Sequence, residues 1–178
     1  MPPQAAKVIR IVLVNRLTVF ATLLAVATVA PVLGAHQQWL TGPVVNATLY
    51  LTVIFSGSSD ALLVGMIPST IALSVGLLPT VLAPMIPFII LGNSLMVLTF
   101  DKLRRTNFLA AVVIASFIKF AFLFSLGNVV TRLILKKEVA LSATRMLSWP
   151  QFSTAIAGGL IAYALSNLGC LKPRQNNV

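Results

Sequence analysis

Lys119 lies near the middle of an apolar run, residues 107–130, that is long enough to cross a membrane. Twelve residues separate it from one end of the run and eleven from the other. At about 1.5 Å rise per residue, this places it roughly 16–18 Å from either surface. A lysine side chain reaches only part of that distance, and an isolated ammonium in hydrocarbon costs at least ~2.5–3.5 kcal/mol. A buried carboxylate, a polar cavity or an anionic ligand would compensate this charge.

The sequence contains three acidic side chains, and none of them falls inside an apolar run. Asp101 and Glu138 flank the predicted spans, and Asp60 lies at a predicted helix start after two serines. We therefore interpret Lys119 as part of a polar cavity that accepts a negatively charged solute.

Other polar residues within or beside the apolar runs are candidates for the lining of that cavity. Asn46 and Asn93 carry amides into the runs, where the alternative role of each is a bond to a neighbouring helix worth only ~0.6–2 kcal/mol. Asn93 falls in the inner part of its span, which prolines and Gly92 are expected to make irregular, and Pro68 predicts a similar break in another span. The remaining substrate-binding candidates lie near the outer ends of the spans: His36, Gln38, Arg132, Trp149 and Gln151.

The composition, with 58% apolar and 9% charged residues and a mean hydropathy of +0.97, indicates an integral membrane protein. The net charge of +10 resides in short segments between apolar runs, which is typical of topology signals and lipid contacts rather than of nucleic-acid binding. With one His, one Cys and three acids, we predict no metal site, no cofactor and no enzymatic activity. The apolar N-terminal stretch lacks a suitable cleavage site and is expected to be retained.

The apolar runs predict a single all-α transmembrane domain over residues 1–178, built as a bundle of six membrane-spanning helices. The spans lie at about residues 17–34, 43–56, 61–78, 84–100, 107–130 and 149–168. A basic segment, residues 131–147, follows the fifth span. It is interpreted as an amphipathic helix on the membrane surface, as an electropositive lid over the cavity, or as both.

The distribution of Lys and Arg orients these spans with both termini in the cytoplasm, since the inner side then carries eight basic residues and the outer side four. Trp39 and Trp149 fall at the same outer interface, as an aromatic belt predicts. Pairs of small residues four positions apart mark faces where helices can approach closely. They include Ala21 with Ala25, Ala111 with Ala115, and Ala155 with Gly159.

In these features the chain resembles the substrate-binding S components of energy-coupling factor (ECF) transporters over essentially its whole length. Ala21 and Ala25 look like that family's AxxxA contact with the transmembrane coupling subunit. The segments 41–46 and 84–93, and the run Ser148-Trp149-Pro150-Gln151, look like segments of small S components.

The resemblance implies a multi-pass protein of a prokaryotic plasma membrane that captures a vitamin or similar micronutrient at its outer face. A small, acidic solute suits the available groups better than a large heteroaromatic one. The implied partners are membrane lipid, the coupling subunit and two cytosolic ATPase subunits, with no nucleic acid. The competing hypotheses are a structural or assembly subunit of another membrane complex, with Lys119 paired to a partner's carboxylate, an ion-conducting protein, and a membrane enzyme.

Overall fold

The computed structural model describes residues 3–33, 37–74, 80–134, 144 and 147–167, and within these ranges the chain is helical, without strands. The described part contains six α-helices and one 3₁₀ helix. The α-helices are α1 Pro3–Leu33, α2 Gln38–Phe55, α3 Ser58–Ser74, α4 Ile86–Leu103, α5 Phe108–Ile134 and α6 Trp149–Asn167, and the 3₁₀ helix is Thr80–Met85. The predicted all-α class is confirmed.

Three stretches of the described helices are long and apolar enough to cross a membrane: Arg16–Leu33, Ala83–Leu103 and Phe108–Leu126. They correspond to the first, fourth and fifth predicted spans, and the number of spans beyond three stays a prediction. Helix α2 contacts α1, α3, α4 and α6, and its side chains are buried continuously from Asn46 to Ile54. A helix enclosed by other helices does not need the apolar surface of a helix that faces lipid.

Contacts between the helices give their directions. Gly42 of α2 lies against Thr154 of α6, and Gly158, further along α6, lies against Ala47, further along α2. Helices α2 and α6 therefore run parallel, and their first residues lie at the same end of the bundle. We call this the tryptophan end, because Trp39 in α2 and Trp149 in α6 are located there with about the same exposed fractions, 63% and 62%.

The opposite end of the bundle carries ion pairs, and we call it the charged end. Arg16 of α1 forms two hydrogen bonds with Asp60 in the first turn of α3, at 3.0 and 2.9 Å. Arg104 pairs with Asp101 at 3.0 Å at the end of α4. The start of α3 and the end of α4 thus lie where α2 and α6 end, as expected for successive helices that alternate in direction.

Turn and cap residues define where the helices begin and end. Gly57 adopts a φ of 107°, which favours glycine, and turns the chain from α2 into α3. Asn107 accepts a hydrogen bond from Ala110 N at 3.0 Å and caps the start of α5.

The irregular backbone expected from the prolines is found at Pro84, and not at Pro68 or at Gly92 and Asn93. The predicted break at Pro68 is wrong, because α3 continues through this residue to Ser74. Gly92 and Asn93 lie within the regular helix α4, and the irregular segment is the preceding 3₁₀ helix. Pro87 lies in the first turn of α4, where a backbone N–H has no helical partner in any residue type, so it does not interrupt the helix.

Small residues bring α6 close to its neighbours. A Cβ atom added to Gly158 would lie 2.7 Å from Ala47 N, and one added to Gly159 would overlap the side chain of Val112. These two glycines therefore permit the close packing of α6 against α2 and α5. Ala21 and Ala25 differ from them, because both are exposed on α1.

Candidate functional site

The buried amine of Lys119 is the centre of the candidate site. Lys119 lies on α5 and is 3% exposed, and its Nζ donates a hydrogen bond of 2.7 Å to Asn46 Oδ1 of α2. Helix α5 places Ser116 on the same buried face, three residues earlier. The structure thus brings together two of the predicted substrate-binding residues, Lys119 and Asn46, which are 73 positions apart.

The amide of Asn46 is held in one orientation. Its Nδ2 donates to Gly42 O at 2.9 Å, so the oxygen is the atom that faces the ammonium of Lys119. Reversing the amide would present a donor to a donor. On the other side, Gly158 packs close to the Asn46 Cβ atom. Asn46 is therefore a fixed acceptor for Lys119.

Neither of the carboxylates that the structure describes neutralises Lys119. Asp60 is paired with Arg16 and Asp101 with Arg104, both at the charged end. Glu138, the third acidic residue of the sequence, lies outside the described residues. Within the described part of the chain, the ammonium has a neutral amide as its hydrogen-bond partner.

A second polar pair lies one helical turn closer to the charged end. Tyr50 Oη and Ser116 Oγ are 3.0 Å apart, and both side chains are fully buried. Either hydroxyl can donate to the other. The pairs Asn46–Lys119 and Tyr50–Ser116 form two consecutive polar contacts between the antiparallel helices α2 and α5. Sequence reasoning missed the second pair, although the i, i+4 and i, i+3 spacings from the first pair were its signal.

Asn93, on α4, is also buried, with 4% of its surface exposed. Its Nδ2 donates to Gly65 O at 3.3 Å, and its Oδ1 accepts no hydrogen bond from any described residue. Asn93 lies seven residues after the start of α4 and ten before its end. The apolar stretch Ala83–Leu103 begins before α4 and has Asn93 at its centre, ten residues from each end, so the predicted inner position of Asn93 stays a prediction.

Asn46 lies in the half of α2 that is nearer to the tryptophan end. Asn46 follows Trp39 by seven residues, or about 10 Å along α2. It precedes Phe55, the last residue of α2, by nine residues, or about 14 Å.

The other predicted substrate-binding residues lie around the tryptophan end. Trp149 is exposed and packs on Phe120 and Phe152, with ring centroids 6.1 and 5.5 Å away, in an aromatic cluster on the surface of α5 and α6. Its ring contacts are therefore with this surface cluster. Gln38 and Gln151 are half-buried in the first turns of α2 and α6.

Two predicted residues belong to segments of which the structure describes little. Arg132 belongs to the last part of α5, which extends to Ile134, beyond the predicted end of the fifth span. His36, and most of the predicted basic segment 131–147, lie outside the described residues. The alternatives of a surface helix and a lid for this segment stay predictions.

The two alanines predicted to contact a partner lie on the exposed side of α1. Ala25 also lines an apolar groove of about 500 Å³ between residues 25–33 of α1 and residues 40–44 of α2. The groove is separate from Lys119, which faces the interior between α2 and α5. A partner could contact this face without touching the buried site.

The chemistry that this arrangement supports is the binding of an anion. A lysine ammonium has three N–H donors, of which Asn46 uses one, and the other two can bind a carboxylate or phosphate.

Comparisons with protein-family models, with curated proteins and with solved structures found no match for this chain.

Proposed function

We propose that this protein is the substrate-capture subunit of an ECF-type ABC importer, which takes up a vitamin or similar small anionic micronutrient. The observation that carries the proposal is the Lys119 ammonium, which is buried beside an amide instead of a carboxylate. An anionic solute would complete this site.

Energetics favour an external counter-ion. Removing an ammonium from water costs several kcal/mol even after the protein relaxes. A hydrogen bond to a charged group returns only ~1.5–3 kcal/mol, and Asn46 supplies one such bond. A bound carboxylate or phosphate would supply the missing charge together with two further acceptors.

Six membrane crossings are part of the proposal. Helices α1, α4 and α5 contain the stretches that are apolar enough to cross a membrane. Because successive helices alternate in direction, α2, α3 and α6 run parallel or antiparallel to these stretches and would cross the same membrane. Four described cations lie at the charged end: Arg16, Lys102, Arg104 and Arg105. By the positive-inside rule this end faces the cytoplasm of a prokaryotic cell, with both termini, and the tryptophan end faces outward.

The proposed partners follow from the same orientation. The exposed face of α1 around Ala21 and Ala25 would contact the transmembrane coupling subunit, because small residues let a second helix approach closely. Cytosolic ATPase subunits would then drive transport from the charged end, and lipid would surround the remaining helices. No enzymatic step is assigned to the capture subunit itself.

The proposal is tested by purifying the protein from its native membranes and identifying any co-purified small molecule by mass spectrometry. We expect an anion in the wild type, its loss in Lys119→Met, and its retention in Lys102→Met. The second variant is the matched control, because Lys102 is an exposed lysine at the charged end. Unchanged affinity of Lys119→Met for the same molecule would refute the role of Lys119.

A pull-down separates the transport proposal from its main alternative, a structural or assembly subunit. Co-purification with nucleotide-binding subunits supports transport. Co-purification with another membrane complex, with loss of the association in Lys119→Met, would show that Lys119 pairs with a partner's carboxylate.

A further inference from the structure

We infer that three apolar residues at the tryptophan end form a plug over Lys119, and that this plug opens to let a solute reach the amine. The plug consists of Met85, Leu123 and Leu147. This inference rests on the proposed function and adds a gate to the same site. The solute would reach the amine through a local opening of the fold, with Leu147 as the side chain that moves.

The first observation is the position of Leu123 relative to Lys119. The two residues are four positions apart on α5, so they share a face of the helix, and Leu123 is about 6 Å closer to the tryptophan end. Helical side chains lean toward the first residue of their helix, and α5 begins at the charged end. Leu123, which is fully buried, therefore covers Lys119 on its tryptophan-end side.

The second observation is what covers Leu123. Met85 and Leu147 are 2% and 4% exposed and pack with Leu123 in one apolar cluster. Met85 ends the 3₁₀ helix, and Leu147 lies in the turn before α6. Gly92 of α4 closes another side, because a Cβ atom added to it would lie 3.0 Å from Leu123 Cγ. Three separate elements thus meet on the residue that covers Lys119.

The third observation is the difference between this plug and the main core. The main apolar cluster contains seventeen buried residues, drawn from all six α-helices, and its members on α5 precede Lys119, toward the charged end. The plug contains three, and Leu147 is outside the helices. The free-energy cost of opening rises with the apolar area that is exposed, and local openings occur where few apolar contacts are buried. The plug is therefore the less costly route to the amine.

The plug is tested by the reactivity of a thiol at the position of the amine. The parent protein is full-length Lys119→Cys in a Cys170→Ser background, purified and treated with the anionic thiol reagent 2-sulfonatoethyl methanethiosulfonate. Adding Leu147→Ala should raise the labelling rate ~10-fold or more, because a smaller side chain lowers the cost of opening. Met85→Ala should also raise the rate, since it removes a second member of the plug.

Leu51→Ala is the matched control, because it truncates an equally buried leucine, 6% exposed, in the main cluster. It should leave the labelling rate unchanged, and thermal unfolding shows which variants are folded. Equal rates in the parent, Leu147→Ala and Met85→Ala overturn the inference. An equal rise in Leu51→Ala and Leu147→Ala also overturns it, since the bundle would then loosen as a whole.

The failure of the plug and the failure of the proposed function give different results. The thiol assay contains no solute, so it reports the opening of the fold alone. The proposed function fails separately, if Lys119→Met leaves the binding of the co-purified anion unchanged.

Discussion

Replacing Asn46 by aspartate would place a counter-ion inside the site. The side chains are nearly isosteric, so a carboxylate oxygen would take the position of Oδ1, 2.7 Å from Lys119 Nζ. The lost donation from Nδ2 to Gly42 O would cost ~0.5–1.5 kcal/mol. In exchange, the ammonium would gain a partner of opposite charge.

The effect on solute binding follows from the charges. Two unit charges about 4 Å apart interact by ~4 kcal/mol at an effective dielectric constant of 20. In the wild type this attraction is available to the solute, whereas in Asn46→Asp the new carboxylate neutralises the ammonium and repels the anion. We therefore expect the affinity for the anion to fall by ~10³-fold or more.

Stability and binding should respond differently in two substitutions at this one position. Asn46→Asp keeps a partner for the ammonium and should leave a folded protein without affinity for the anion. Asn46→Leu leaves the ammonium without its acceptor and should destabilise the fold by ~1.5–3 kcal/mol. Thermal unfolding in detergent and calorimetric titration with the co-purified solute measure the two effects.

Asn167→Asp is the matched control for this prediction, because it adds the same charge at the exposed end of α6. It should change neither property. If Asn46→Asp bound the anion as tightly as the wild type, the site would not be at Lys119, and the reasoning from its missing carboxylate would be refuted.

Three further predictions concern the partner face and the packing. Ala21→Trp and Ala25→Trp should release the proposed coupling subunit in a pull-down without weakening solute binding, whereas the exposed control Ala164→Trp should leave both the complex and solute binding unchanged. Loss of solute affinity with the complex intact would place the alanine face inside the bundle. Gly158→Leu should destabilise by ~1–3 kcal/mol or more in thermal unfolding, because its Cβ would meet the α2 backbone, and an unchanged melting temperature would contradict that packing. Tyr50→Phe should lower the free energy of unfolding by ~1 kcal/mol, since it removes a buried hydrogen bond; no change in denaturant titration would argue against the bond.

The all-α class and the cost of burying the Lys119 ammonium could be predicted from local sequence alone. Both depend on the length and polarity of contiguous segments, which a sequence shows directly. The positions at which prolines interrupt a helix could not be predicted as reliably. Pro68 and Pro87 have the same backbone chemistry, but their consequences depend on where each helix begins and on what packs around it.

The partner of Lys119 could not be predicted, because it depends on how the helices rotate against one another. Asn46 and Asn93 were both candidates in the sequence, since each is a single amide in an apolar run. The structure separates them through packing: Gly158 lets α6 fit against α2 beside Asn46, while Asn93 faces Gly65 of α3. These contacts join residues far apart in the chain, and hydrophobic periodicity carries no information about them.

An amide beside the buried amine has a consequence that a carboxylate would not have. A one-residue change to aspartate would neutralise Lys119 from within the chain, yet the acids that the structure describes are bound to arginines at the charged end. Asn46 stabilises and positions the ammonium but leaves its net charge available. Asn46 lies in the half of α2 nearer to the tryptophan end, and the uncompensated charge would attract an anion from the proposed outer side. The same two residues thus account for the proposed preference of the site for negatively charged solutes.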